Sequence, residues 1–138
     1  MNNAEKLVLL NQTQKNTLLE TLDIQFTEVG DNYLVAKMPV NERVYQPDGI
    51  LHGGATFALA ETVGSVASVV FAKAQNVQVR GIEMSGNHLR SVKTGNVYAK
   101  AQAIHLGRTT QIWEIRVTDE EEKLVSLIKL TTLSLPKK

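Results

Sequence analysis

At 138 residues the chain has room for one core and is read as a single domain, 1–138. Fifteen Lys and Arg against fourteen Asp and Glu leave a net charge of +1, so no global field draws it to nucleic acid or an anionic membrane. The absence of cysteine removes disulfides, thiolate metal sites and thiol nucleophiles, and with no signal-type apolar run in residues 1–6 the cytoplasm is the expected location.

Leu7, Leu10, Gln14 and Leu18 fall at near-helical spacing, which predicts one amphipathic helix over 4–21. Residues 24–29 and 33–40 alternate apolar and polar around the turn residues Gly30, Asp31 and Asn32, the pattern of a hairpin. Residues 41–54 hold Pro47, Gly49, Gly53 and Gly54 without periodicity and are expected to form a loop ending at a helix start. A long, nearly all-apolar helix follows over 55–75. Its length suits a membrane span, but Glu61 and several Ser, Thr and Gly residues argue for a helix buried inside a protein. Four strand-like runs complete the chain at 77–91, 97–106, 109–118 and 124–135, with the acidic residues 120–122 as a solvated turn tip. One helix too apolar for water, followed by a meander of long strands, predicts an α+β fold in which an antiparallel sheet curls around that helix.

The helical period places Glu61, Ser65 and Ser68 on one stripe of the long helix. A carboxylate among Ala, Val, Leu and Phe sheds hydration at a cost that demands a partner or a task. A mid-helix glutamate ordinarily faces solvent, however, and the helix alone leaves that reading standing. Upstream, Gly53 sits where an unpaired helix N–H can meet developing negative charge, and the Gln46 amide can polarise a carbonyl or orient water. His52 taken singly is a structural loop histidine more often than a catalyst. His52, His88 and His105 lack the paired spacing of zinc motifs, so no metal is expected. There is no Gly-x-Ser-x-Gly or Walker loop, and seven aromatics without a basic cluster make a poor nucleic-acid surface.

Residues 46–54, Gln-Pro-Asp-Gly-Ile-Leu-His-Gly-Gly, followed by Glu61 and Ser65, resemble the active-site segment of hotdog-fold acyl-CoA thioesterases. The branch is that of the phenylacetate-pathway and hydroxybenzoyl-CoA thioesterases. Residues 81–91 and 105–114 are similar to later strands of thioesterases that act on dihydroxynaphthoyl-CoA or proofread enterobactin synthesis, so the likeness runs over about 22–135. The resemblance implies a hotdog fold and hydrolysis of an acyl-CoA, an aromatic acyl group being favoured. It also implies Glu61 as nucleophile or general base, the Gly53 N–H as oxyanion donor, Gln46 and His52 orienting thioester and water, and Ser65 as a positioning hydroxyl. Asn87, His88, Arg90, Ser91, Gly107, Arg108 and Thr109 become coenzyme contacts; taken alone, Arg90 and Arg108 are ordinary surface charges. No resident cofactor is implied, since CoA is part of the substrate. One helix cannot cover both faces of such a sheet, so a homodimer is expected. The family goes further, to dimers paired as a homotetramer, with the glutamate of one chain facing the helix-entrance glycine of its partner. Two rivals share the pocket: an acyl-thioester hydratase or dehydratase using a histidine with an acid, and a non-catalytic acyl-CoA-binding module.

Overall fold

A computed structural model describes the whole chain, Met1–Lys138. Its elements run α1 (Asn3–Gln12), α2 (Leu18–Thr21), β1 (Gln25–Gly30), β2 (Tyr33–Pro39), a 3-10 turn (Glu42–Val44), α3 (Gly53–Val70), β3 (Val77–His88), β4 (Asn96–Leu106), β5 (Thr110–Thr118) and β6 (Leu124–Pro136). The strands form one antiparallel sheet in the order β1-β2-β4-β5-β6-β3, so α3 carries the chain from the second strand to the far edge.

The period-two pattern explains the sheet. Leu34, Ala36 and Met38 of β2, Val97, Ala99 and Ala101 of β4, and Trp113, Ile115 and Val117 of β5 are buried at alternate positions. They close over Leu59, Ala60, Val63 and Ala67 of α3 in a single core of 23 residues, which is the curved sheet wrapped around one helix that the α+β reading predicts.

Several features differ from expectation, β3 among them: expected over 77–91, it ends at His88 and leaves Arg90 and Ser91 outside the strand. The predicted N-terminal helix is broken in two, because Gln14, Lys15 and Asn16 offer nothing apolar to bury and Asn16 turns through the left-handed region at φ 63°. Helix α3 takes in Gly53 and Gly54, capped by His52, and ends at Val70, where Phe71 turns to pack on Trp113 with ring centroids 6.2 Å apart. The acidic tip is also more than solvated. Glu120 accepts from the Tyr98 hydroxyl at 2.7 Å and from the Asn96 backbone and side chain at 2.9 and 3.0 Å, which hold its carboxyl below the usual range.

The two sheet edges are finished differently. On β1, Asn11 of α1 mimics a strand, its Nδ2 donating to the Phe26 carbonyl and its Oδ1 accepting the Phe26 N–H, both at 2.9 Å, while Asn3 donates to the Val29 carbonyl. On β3 only Arg80 folds back on the Val79 carbonyl, at 2.9 Å. The rest of a 12-residue strand lies open, with Ile82 57% exposed.

Candidate active site

The segment before α3 is folded into a tight hairpin. The Gln46 N–H donates to the Ile50 carbonyl at 2.8 Å, the Gly49 N–H donates back to Gln46 at 2.9 Å, and Gly49 turns through φ 76°, a conformation that glycine adopts without strain. The Asp48 N–H donates to the Gln46 side-chain oxygen, and the Gln46 amide nitrogen donates in turn to Asp48 Oδ2 at 3.5 Å, a long contact that ties the side chain back on its own turn. His52 is the N-cap of α3: its Nδ1 accepts the Gly54 N–H at 2.7 Å, so its ring serves first to start the helix. With Gly54 capped by the ring and Ala55 and Thr56 bonded to the His52 carbonyl, the Gly53 N–H is left without an acceptor in the chain.

His88, at the end of β3, reaches this helix start. Its Nε2 would lie 2.6 Å from a Cβ built on Gly53, so any side chain there would collide with the imidazole. The ring is held by Ser126 Oγ at Nδ1, 2.7 Å away, and by Phe57 at a centroid distance of 5.2 Å. Gln46, Gly53, Thr56, His88, Arg90 and Ser91 thus line one cavity of about 380 Å³. Ser126, which orients His88, was not legible as a site residue; its one signal is a hydroxyl at an inward-facing position of an apolar strand.

Glu61 lies elsewhere. Eight residues further along α3, it is displaced from Gly53 by about 12 Å of helix rise. It is exposed rather than buried, contrary to the expectation of a desolvated carboxylate, because the open β3 edge leaves that side of α3 uncovered. Its Oε2 rests against Gly81, where a Cβ would come within 2.7 Å, and the three ion pairs of the chain, Arg116–Glu114, Lys123–Glu121 and Lys129–Glu83, leave it out. Ser65 shares its cleft of about 360 Å³. Ser68, on the same predicted stripe, does not: it is fully buried, accepting from Trp113 Nε1 at 2.7 Å and bonded to Thr132 Oγ1 at 2.7 Å.

The expected coenzyme contacts divide as well. His88, Arg90 and Ser91 face the cavity at the helix start, whereas Asn87, the adjacent strand position, lines a cleft on the opposite face of the sheet. Gly107, Arg108 and Thr109 turn between β4 and β5 beside the Arg80 end of β3, since Thr110 pairs with Leu133 and Leu133 with Arg80. His88 pairs with Ser126 at the far end, eight strand residues or about 27 Å away. The turn is fixed from inside by Gln111, 2% exposed, whose Nε2 donates to the Gly107 carbonyl at 3.1 Å and whose Oε1 accepts from Thr132 and Ser134. No three His, Asp or Glu side chains converge in a metal-ligating group.

Against known proteins, the pattern of the "Thioesterase superfamily" matches residues 48–126, more than half the chain. The chain belongs to the thioesterase superfamily. It is similar to the "Proofreading thioesterase EntH" of Cronobacter turicensis, 44% identical with 91% of each chain covered. It is likewise similar to the "1,4-dihydroxy-2-naphthoyl-CoA hydrolase" of Escherichia coli, 40% identical with 94% of each covered. Among solved structures, thioesterase HI1161 of Haemophilus influenzae superposes with a TM-score of 0.90 at 40% identity, covering 94% of this chain and 90% of that one. Two variants of SAV0944 of Staphylococcus aureus superpose at 0.83, with 37% and 38% identity, over 86% and 87% of this chain and 98% and 99% of theirs. One carries alanine in place of a glutamine and the other in place of a glutamate, and those positions stand fifteen residues apart, the separation of Gln46 and Glu61 here. As a thioesterase-superfamily member with the hotdog fold, the chain is an enzyme, a thioester hydrolase.

Proposed function

We propose that the enzyme hydrolyses acyl-CoA thioesters, aromatic ones preferred, at a site shared between two chains. The observation that carries this reading is the split of the machinery: a free N–H at Gly53 with His88 at one end of the open β3 edge, and an unpaired carboxylate at Glu61 against Gly81, near the middle of that edge. Twelve ångströms of helix forbid their meeting on one carbonyl within a chain. Two β3 edges paired antiparallel about a two-fold axis lay the Val77–Gly81 half of one strand against the Met84–His88 half of the other. Glu61 then faces the partner's helix start, and the Gly107–Thr109 turn approaches the partner's Arg90 and Ser91. The same pairing covers the long open edge.

At such a site the Gly53 N–H holds the thioester oxygen as it gains charge. His88, its Nδ1 occupied by Ser126, presents Nε2 beside that position. Glu61 then acts in one of two ways. As nucleophile, a carboxylate oxygen bonds to the carbonyl carbon, the C–S bond breaks with its electrons leaving on CoA thiolate, and water hydrolyses the resulting anhydride. As general base it takes a proton from water, whose oxygen forms the new bond while the thiolate departs and is then protonated. Both routes run without a resident cofactor, because a thiolate leaves readily; its conjugate acid has a pKa of about 8.5 on the cysteine model. Gln46 donates to the acyl or water oxygen and Ser65 positions the substrate beside Glu61. The wider assembly is a homotetramer in the cytoplasm, its dimers meeting over the outer sheet face where Ile82, Ile104 and Leu127 stand exposed.

The aryl preference is drawn from the similar E. coli 1,4-dihydroxy-2-naphthoyl-CoA hydrolase. A panel of aryl-, short- and long-chain acyl-CoAs with thiol detection tests it: release of free CoA, fastest from benzoyl-CoA, is expected. An absorbance change without thiol marks a hydratase, and binding without turnover marks a carrier. For the coenzyme end, Arg108→Ala is expected to raise KM for acyl-CoA several-fold with little change in kcat, while leaving the corresponding N-acetylcysteamine thioester, which lacks the nucleotide phosphates, unaffected. Equal effects on both thioesters would remove Arg108 from coenzyme binding.

A further inference from the structure

We propose that Leu18, with Leu19 behind it, is the wall that measures the acyl group, so that the one-turn helix α2 sets which acyl chains the enzyme accepts. The inference rests on the thioesterase reading above and concerns the cleft that holds Glu61. That cleft, about 360 Å³, lies at the small end of ligand pockets. Its α3 side presents Glu61, Thr62 and Ser65, and its α2 side presents Leu18 and Leu19.

The local chain is built to put leucine there. Helix α2 is bounded by two residues in the left-handed region, Asn16 at φ 63° and Asp23 at φ 55°, which turn one helical turn aside from the path of α1. Leu19 is the anchor: it packs on the core, and its carbonyl accepts the Ile24 N–H at 2.9 Å at the start of the sheet. Leu18 has no such packing and stands 54% exposed beside a carboxylate. An exposed leucine on its own needs no explanation. This one borders a cleft whose opposite wall bears hydroxyls of Thr62 and Ser65, and those hydroxyls take no part in the hydrogen bonding of the chain, whereas Ser68 one turn on bonds to the Gly64 carbonyl at 3.0 Å. A polar floor at the reacting carboxylate and an apolar roof over it suit a substrate with a polar carbonyl and a compact apolar body.

The arrangement assigns the two cavities to two halves of one substrate. The acyl body lies under α2 of the chain that supplies Glu61, and the pantetheine arm runs to the partner's helix start. Leu18 limits how far the acyl body extends.

The test is kcat/KM for benzoyl-, hexanoyl- and dodecanoyl-CoA with the wild type, Leu18→Ala, Leu18→Trp and, as a control on α1, Leu9→Ala. Leu18→Ala is expected to raise the dodecanoyl-to-benzoyl ratio about tenfold, and Leu18→Trp to lower activity on the larger acyl groups by a similar factor while hexanoyl-CoA is spared. Leu9→Ala should leave all ratios at the wild-type values. Ratios within about twofold of wild type in both Leu18 variants would overturn the acyl wall while leaving the thioesterase reading intact. Failure of the wild type to release thiol from any of the three would overturn the thioesterase reading itself.

Discussion

Replacing Glu61 with glutamine is expected to lower acyl-CoA hydrolysis at least roughly a hundredfold, the usual loss when a general base or its equivalent is removed. Glutamine keeps the size and the hydrogen-bonding reach of the side chain, and Glu61 is exposed and unpaired in the chain, so the folded state loses nothing it depends on. A fall in kcat with KM and melting temperature unchanged is therefore the signature of chemistry rather than of packing. The nucleophile and base routes separate in one further measurement. Single turnover in ¹⁸O-labelled water places label on a Glu61 oxygen, and an unlabelled Glu61 oxygen in the product acid, when an anhydride forms and water opens it at the Glu61 carboxyl carbon. A base never labels the carboxylate, so label on Glu61 establishes the nucleophile. Near-normal turnover in Glu61→Gln would sink both routes together.

A mixture of two inactive proteins is expected to regain activity. Suppose Glu61→Gln and His88→Ala chains are unfolded, mixed in equal amounts and refolded. With the carboxylate of one chain working against the helix start of the other, each mixed dimer holds one site with both defects and one with neither. Random pairing makes half the dimers mixed, so recovery should approach about one quarter of wild-type activity. If every site were completed within a single chain, both sites of the mixed dimer would carry a defect and nothing would return. The argument for recovery is geometric: Gly53 and Glu61 are fixed on one rigid helix, facing opposite halves of an edge strand, and no side-chain motion closes their separation.

Much of this was legible in the sequence, for reasons that can be named. The strands announce themselves through period and the long helix, read over 55–75 and found over 53–70, through its apolar run, because burial is written locally in the chain. Gln46, Gly53 and Glu61 stand out through residue type and spacing, although the desolvation expected of Glu61 is absent, since its side chain is exposed. What stayed hidden depends on contacts distant in sequence. That His88 would press on Gly53, leaving Asn87 beside it on the other side of the sheet, follows from strand register, which alternation alone does not fix between strands. That Ser68 would be a core hydroxyl, tied to Trp113 and Thr132, follows from the sheet closing over the later turns of α3 while its Glu61 side stays open. The helical wheel gives both positions one face; only the curvature of the sheet separates them.

The strand mimicry of Asn11 on β1 bears on how large these assemblies grow. A sheet closed at one margin and open at the other has a single place to add a strand, and when two such margins meet, neither chain retains another. Growth by strand addition would therefore stop at two copies. A pair formed through the twelve-residue free strand would thus be closed to further strand addition, because one asparagine side chain and the short helix that carries it occupy the other margin.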